Sequence, residues 1–163
     1  SRPSLANLLL ADLPATSRGP LLDGRARRRT AEALARRLGF NPARLDTEAV
    51  NLSGGNQQKL VLGKWLNRQP RVLLLDEPTR GIDLGAKQEI FQTIRRLTDE
   101  GMGVILVSSD LEEVVEHADR VVVMARGRQI ALLDGTETSV ERILNLIFAV
   151  EGRPTDQPLA GAA

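Results

Sequence analysis

Two short stretches carry the residue types that could do chemistry. In the first, VLLLDEP, the apolar run Val72–Leu75 ends in Asp76 and Glu77, and Pro78 follows. An aspartate there offers hard oxygen to Mg²⁺, an ion that keeps several waters and bridges to phosphates. A glutamate beside it can orient or deprotonate an attacking water. The second stretch is Asn51–Lys59, NLSGGNQQK. Ser53 stands where the N-cap of a helix is expected. Gly54 and Gly55 allow another backbone to approach closely and leave amide groups uncovered. A hydroxyl, bare amides and the positive end of a helix dipole together suit a phosphate.

These residues need elements to hold them. An unbroken apolar run predicts a strand over Val72–Leu75 buried on both faces of a parallel sheet. Its carboxyl end is where α/β folds place ligands. Pro78 biases Glu77 away from helical geometry and keeps its carboxylate at the strand end. After Ser53, a helix is predicted with Leu60, Val61, Trp65 and Leu66 on its apolar side. Ala86–Glu100 is a second helix, with Ile90, Phe91, Ile94 and Leu97 along one side and Gly101 closing it. Gly103–Val107 is another apolar run, which makes a strand–helix–strand unit.

Upstream, Ser4–Leu13 has leucines at helical spacing and ends at Pro14. Ala15–Leu22 is expected to be a loop, Asp23–Leu38 a helix stopped by Gly39, and Asn41–Val50 a connecting loop with a turn near Asp46. Downstream, a helix runs from Asp110 to about His117. A hairpin of Val121–Met124 and Arg128–Leu133 follows, turning at Ala125–Gly127 and expected at a sheet edge. Thr138 and Glu141 have capping-box spacing ahead of a helix lined by Val140, Ile143, Leu144 and Ile147. From Glu151 the chain is rich in Pro, Gly and Ala, and a disordered tail is expected.

The formal charge of +1 gives no field to draw nucleic acid or an anionic membrane. Trp65, three phenylalanines and no tyrosine leave no base-stacking platform. The absence of cysteine excludes disulfides and thiolate metal sites. No apolar run approaches the roughly 20 residues of a membrane span, and no signal peptide opens the chain. Service to a membrane would then be from the cytoplasm, through a partner. Arg25, Arg27, Arg28 and Arg29 read as a solvated helix face. His117, in an acidic helix away from both stretches, reads as structural or solvated.

NLSGGN resembles the signature motif of ATP-binding cassette (ABC) ATPases, VLLLDEP their Walker B strand, and Gly81–Lys87, GIDLGAK, their D-loop. The wording of NLSGGNQQK, DEPTRGIDLGAKQEI and LVSSDLEEV is similar to the second nucleotide-binding half of the ATPases that drive bacterial monosaccharide import, of the ribose, galactose and xylose type. The resemblance implies an α/β, partial P-loop NTPase fold with a mainly parallel sheet. A helical subdomain would occupy residues 1–50, the ATPase core 51–150 and the tail 151–163. It implies ATP and Mg²⁺ as cofactors, with Asp76 holding the metal through water and Glu77 catalytic. Ser53, Gly54, Gly55, Asn56 and Asp83 would meet ATP held by the partner half, or line that interface. It implies as partners another nucleotide-binding half, a transmembrane permease and, indirectly, a sugar-binding protein, with no nucleic acid. The place of work would be the cytoplasmic face of the cell membrane.

Two departures limit that picture. No Gly-x-x-x-x-Gly-Lys-Ser/Thr loop occurs, and no glutamine precedes Gln57, so the family's phosphate loop and Q-loop are expected upstream of Ser1. Without them the chain should bind nucleotide poorly alone. In addition, Ser109 stands where ABC ATPases usually carry a histidine. A serine hydroxyl lacks an imidazole's reach and charge, so the site around Asp76 and Glu77 is expected to be slow or degenerate. Two rivals stay open at this point: a soluble ABC ATPase of DNA repair, chromosome organisation or translation, and a fragment inert by itself.

Overall fold

The computed structural model describes residues 2–12, 17–18, 21–22 and 24–151. The expected tail lies outside the described residues except for Glu151, which ends the last helix. The chain divides into two compact units, Ser1–Val107 and Ser108–Ala163.

The first unit opens with α1 (Ser4–Leu8), followed by a 3-10 turn over Leu10–Asp12. Where a loop is expected, β1 (Ser17–Arg18) and β2 (Leu21–Leu22) pair antiparallel. Next comes α2 (Gly24–Arg37), which stops as predicted at Gly39, a residue with φ 62°. The Gly39 N–H donates to the Arg36 carbonyl and the Phe40 N–H to the Ala35 carbonyl, at 3.2 and 2.8 Å, so the last carbonyls of the helix are satisfied. The stretch to Val50 holds two 3-10 turns, Pro42–Arg44 and Ala49–Asn51. On α2, Arg28 donates to Asp46 and to Glu32, which accords with a solvated face; the Asp46 hydrogen bond holds its guanidinium pKa above the ordinary value.

Ser53 leads into α3 (Gly54–Leu66), then β3 (Val72–Asp76), α4 (Leu84–Asp99) and β4 (Gly103–Val107). The two strands pair in parallel from Val72 opposite Gly103 to Asp76 opposite Val107, so the strand–helix–strand unit is present. Leu73, Leu75, Val104 and Leu106 face the core formed with Leu8, Leu38, Phe40, Leu97 and the α4 stripe Ile90, Phe91 and Ile94.

Three sequence expectations need correction here. The strand is not buried on both faces: Leu73 is 5% exposed, while Leu74 is 67% and Ile105 55% exposed. Side chains alternate with period two, and among the described residues only one face is covered. The sheet is not mainly parallel either. Three separate two-stranded sheets occur among the described residues, and β3–β4 is the only parallel one. Finally, Val61 and Trp65 do not lie on the buried side of α3; each is about half exposed. The buried side is centred on Gly55, Lys59, Leu62, Gly63 and Leu66, because the small residues admit neighbouring helices there. A Cβ on Gly63 would meet Leu8 and Leu38 side chains at 2.4 and 2.5 Å.

The second unit begins with α5 (Leu111–His117), capped by Asp110, whose Oδ1 accepts the Glu113 N–H. Exposed His117 at its end lies beside Glu116. The predicted hairpin is β5 (Arg120–Ala125) and β6 (Arg128–Asp134), antiparallel with a bulge at Val123/Met124. Its two turn residues, Arg126 and Gly127, have φ 50° and 73°, the signature of a type I′ turn that matches strand twist. Onto it packs α6 (Val140–Glu151) through Ile143, Leu146 and Ile147. The expected capping box at Thr138 is not formed. The helix begins one residue later, so Ser139 Oγ accepts the Arg142 N–H, and the Thr138 hydroxyl donates to the Asp134 carbonyl. Among the described residues, no helix is long and apolar enough to cross a membrane.

Candidate functional site

At the tip of α3, Ser53 is exposed and occupies the N-cap position with extended φ and ψ of −60° and 155°. The position matches the sequence reading, but the bond does not. Ser53 makes no side-chain cap; its Oγ instead accepts the Asn56 Nδ2 at 2.8 Å. The first N–H groups of a helix have no intrahelical acceptor, so those of Gly54, Gly55 and Asn56 are not covered by the residue placed to cap them.

The same tip lies against the segment that joins β3 to α4. A Cβ on Gly54 would stand 3.1 Å from Ile82 Cγ2, and one on Gly55 would stand 2.5 Å from Ala86 Cβ. Glycine is required here by proximity. Asp83 caps α4, its Oδ1 accepting the Ala86 N–H at 2.9 Å, and Gly81 turns the chain with φ 77°. Ser53, Gly54, Gly55 and Asn56 are thus brought to one place with the Asp83 segment, though the two stretches are far apart in sequence.

Asp76 is exposed at the end of β3, opposite Val107. Glu77 follows with φ 46° while its N–H donates to the Val107 carbonyl at 2.8 Å, one further rung of the parallel ladder. Pro78 does keep Glu77 out of right-handed helix, but the residue is left-handed. For a non-glycine residue that conformation costs on the order of 1 kcal/mol or more, and such residues cluster at functional sites. Among the described residues, no group of three or more His, Cys, Asp or Glu could hold a metal ion. One exposed carboxylate at a strand end fits only an ion that keeps most of its water, which is the habit of Mg²⁺ and foreign to ions that need a protein cage.

Ser109 is exposed and belongs to the second unit. Its neighbour Ser108 donates to Glu113 Oε2 at 3.2 Å and accepts the Asp110 N–H at 3.0 Å. A residue that sequence reasoning passed over is Lys59. Its side chain is buried, and its ammonium lies 2.6 Å from Glu89 Oε2 on α4. The available signal was its place one helical turn beyond Gly55.

By comparison with known proteins, the fold that presents this glycine-tipped helix against the loop after β3 is that of an ATP-binding cassette. The family model described as "ABC transporter" matches residues 5–80, from α1 to just past the end of β3. An ATP-binding cassette of an ABC transporter superposes with a TM-score of 0.74 at 24% identity, over 93% of this chain and 61% of that one. A cassette in a dimeric post-hydrolysis state, bound to ADP and Pi, superposes at 0.69 and 24% identity, over 82% of this chain and 56% of that one. The chain belongs to the ABC transporter ATP-binding proteins. Within them it is 46% identical over 155 residues to "Ribose import ATP-binding protein RbsA 2" of Streptomyces coelicolor, across 95% of this chain. It spans about 30% of the length of that relative.

Proposed function

We propose that the chain is the C-terminal part of the second nucleotide-binding half of an ABC importer ATPase for a ribose-type sugar. Its α3 tip completes the ATP site of the partner half. The observation that carries this reading is the unspent α3 tip: an exposed Ser53 hydroxyl and first-turn amides beside Gly54 and Gly55, seated on the Asp83 segment. The α3 tip is then an anion site for a terminal phosphate presented from across an interface. Similarity to ribose import ATPases supports the cargo class, and the dimeric cassette among the structural neighbours supports the two-half assembly. Residues 1–50 serve as the helical subdomain leading to the signature and facing a transmembrane permease, which a sugar-binding protein supplies with cargo.

The chain's own acids belong to a separate site. Mg²⁺, when bound with ATP, neutralises developing phosphate charge, and Asp76 would hold it through water. Glu77 accepts a proton from the attacking water, or orients it. By the family resemblance, Ser109 holds the position of the usual histidine with a neutral hydroxyl, which predicts slow hydrolysis by the chain's own acids and leaves its service to the partner intact.

In the whole subunit, Ser53→Arg should abolish hydrolysis at the partner site, a loss of about 10²–10³ or more in kcat from removing a preorganised donor. Glu77→Gln should have a smaller effect. Steady-state ATPase assays of both variants test the asymmetry; an indispensable Glu77 with a dispensable Ser53 would reverse it.

A further inference from the structure

Lys59 is 5% exposed, and burying an ammonium is costly unless it is paired and hydrogen-bonded. It has two partners outside its own helix. Its Nζ donates to Glu89 Oε2 on α4 at 2.6 Å and to the Gly39 carbonyl at the end of α2 at 3.1 Å. A helix C-terminus carries partial negative charge, so the carbonyl suits a cation. The pair is lopsided: the Glu89 side chain is 62% exposed and the Lys59 side chain 6%. Ion pairs that bury a charge gain little stability over apolar residues of similar size, so fold stability alone does not account for this lysine.

Its position does. On α3, Lys59 follows Gly55 by four residues and shares its face; on α4, Glu89 follows Ala86 by three and shares its face. The Gly55–Ala86 contact and the Lys59–Glu89 bridge therefore sit one helical turn apart along the same pair of helices. The first sets how close the helices come. The second sets their rotation and sliding, because an apolar contact is non-directional and a short charged hydrogen bond is not.

We infer that Lys59 is a positioning residue, which through Glu89 and the Gly39 carbonyl locks the signature helix to the Asp83 segment, so that Ser53, Gly55 and Asp83 are presented to the partner's nucleotide as one rigid edge. The inference rests on the proposed function for its catalytic consequence and on geometry alone for the clamp.

The test uses the whole subunit with Lys59→Met, Glu89→Gln, the double variant and Lys59→Arg. Lys59→Met should keep its denaturation midpoint and its KM for ATP, while kcat falls about 10–100-fold, the scale expected when reacting groups are displaced by an ångström or less. Amide hydrogen exchange at residues 54–58 and 85–88 should quicken. Glu89→Gln should show the same pattern more weakly, the double variant should be no worse than Lys59→Met, and Lys59→Arg should recover most of kcat. A fall of kcat in step with the denaturation midpoint, additive losses in the double variant, or unchanged exchange at both tips would overturn the clamp. A wild-type subunit that hydrolyses no ATP would defeat the proposed function, yet the exchange measurements would still decide the clamp.

Discussion

α4 begins at Asp83, whose carboxylate accepts the Ala86 N–H and so closes its own helix end. α3 begins at Ser53, within van der Waals reach of the same segment through Gly54 and Ile82, and there the cap side chain is held by Asn56 instead. The two neighbouring tips are opposites. One spends its polar side chain on its own backbone, which fixes the element in place. The other leaves its first-turn amides without that cap, and it owes its position to the neighbour it leans on. Capping holds a helix through its own side chain; packing against a neighbour holds one whose cap is withheld.

Substitutions can break that contrast. The largest effect is expected at the contact joining the tips. Gly55→Val must force α3 from Ala86, since a Cβ has only 2.5 Å there. Overpacking of this kind costs about 1–3 kcal/mol, to be read from denaturant unfolding. Next come the two caps themselves. Asp83→Ala should lose about 1 kcal/mol of stability, the usual worth of a side-chain cap. Ser53→Ala should lose under about 0.5 kcal/mol, as for a surface change that removes no such bond. Equal losses at the two positions would mean that Ser53 is an ordinary cap after all.

The smallest effect concerns another aspartate that spends itself as Asp83 does. Asp134 accepts the Thr136 hydroxyl and the Thr136 N–H, chiefly the hydroxyl, and these hold its carboxyl below the ordinary aspartate value. A depressed folded-state pKa contributes stability that is present above the unfolded value, about 4, and lost as pH falls through the folded one. Thr136→Val should move the Asp134 titration, followed by NMR, upward toward the ordinary value. No movement would show that the hydroxyl is not what holds it.

Much of the frame was legible because it depends on local signals. Gly39 and Gly101 stop their helices through left-handed backbone, and Arg126–Gly127 form the hairpin turn for the same reason. The α4 stripe of Ile90, Phe91, Ile94 and Leu97 is buried as its spacing requires. Most misreadings came from neighbours that a sequence does not display. Val61 and Trp65 look like core at helical spacing, yet the close approach permitted by Gly55 and Gly63 turns α3 so that they face outward. Thr138 has capping-box spacing, but α6 starts one residue later and Ser139 takes the cap. Leu74 and Ile105 read as buried, and the described residues cover only the opposite face.

Residue types at short spacing determined where the helices stop, which strands pair in parallel and which side chains carry oxygen and amide chemistry, because backbone preference and apolar periodicity act within a few residues. Tertiary structure alone decided that Gly55 meets Ala86 and that a buried Lys59 reaches both Gly39 and Glu89. Those outcomes are set by distances between segments remote in the chain, where steric exclusion and the cost of an unpaired buried charge act only after the helices have packed.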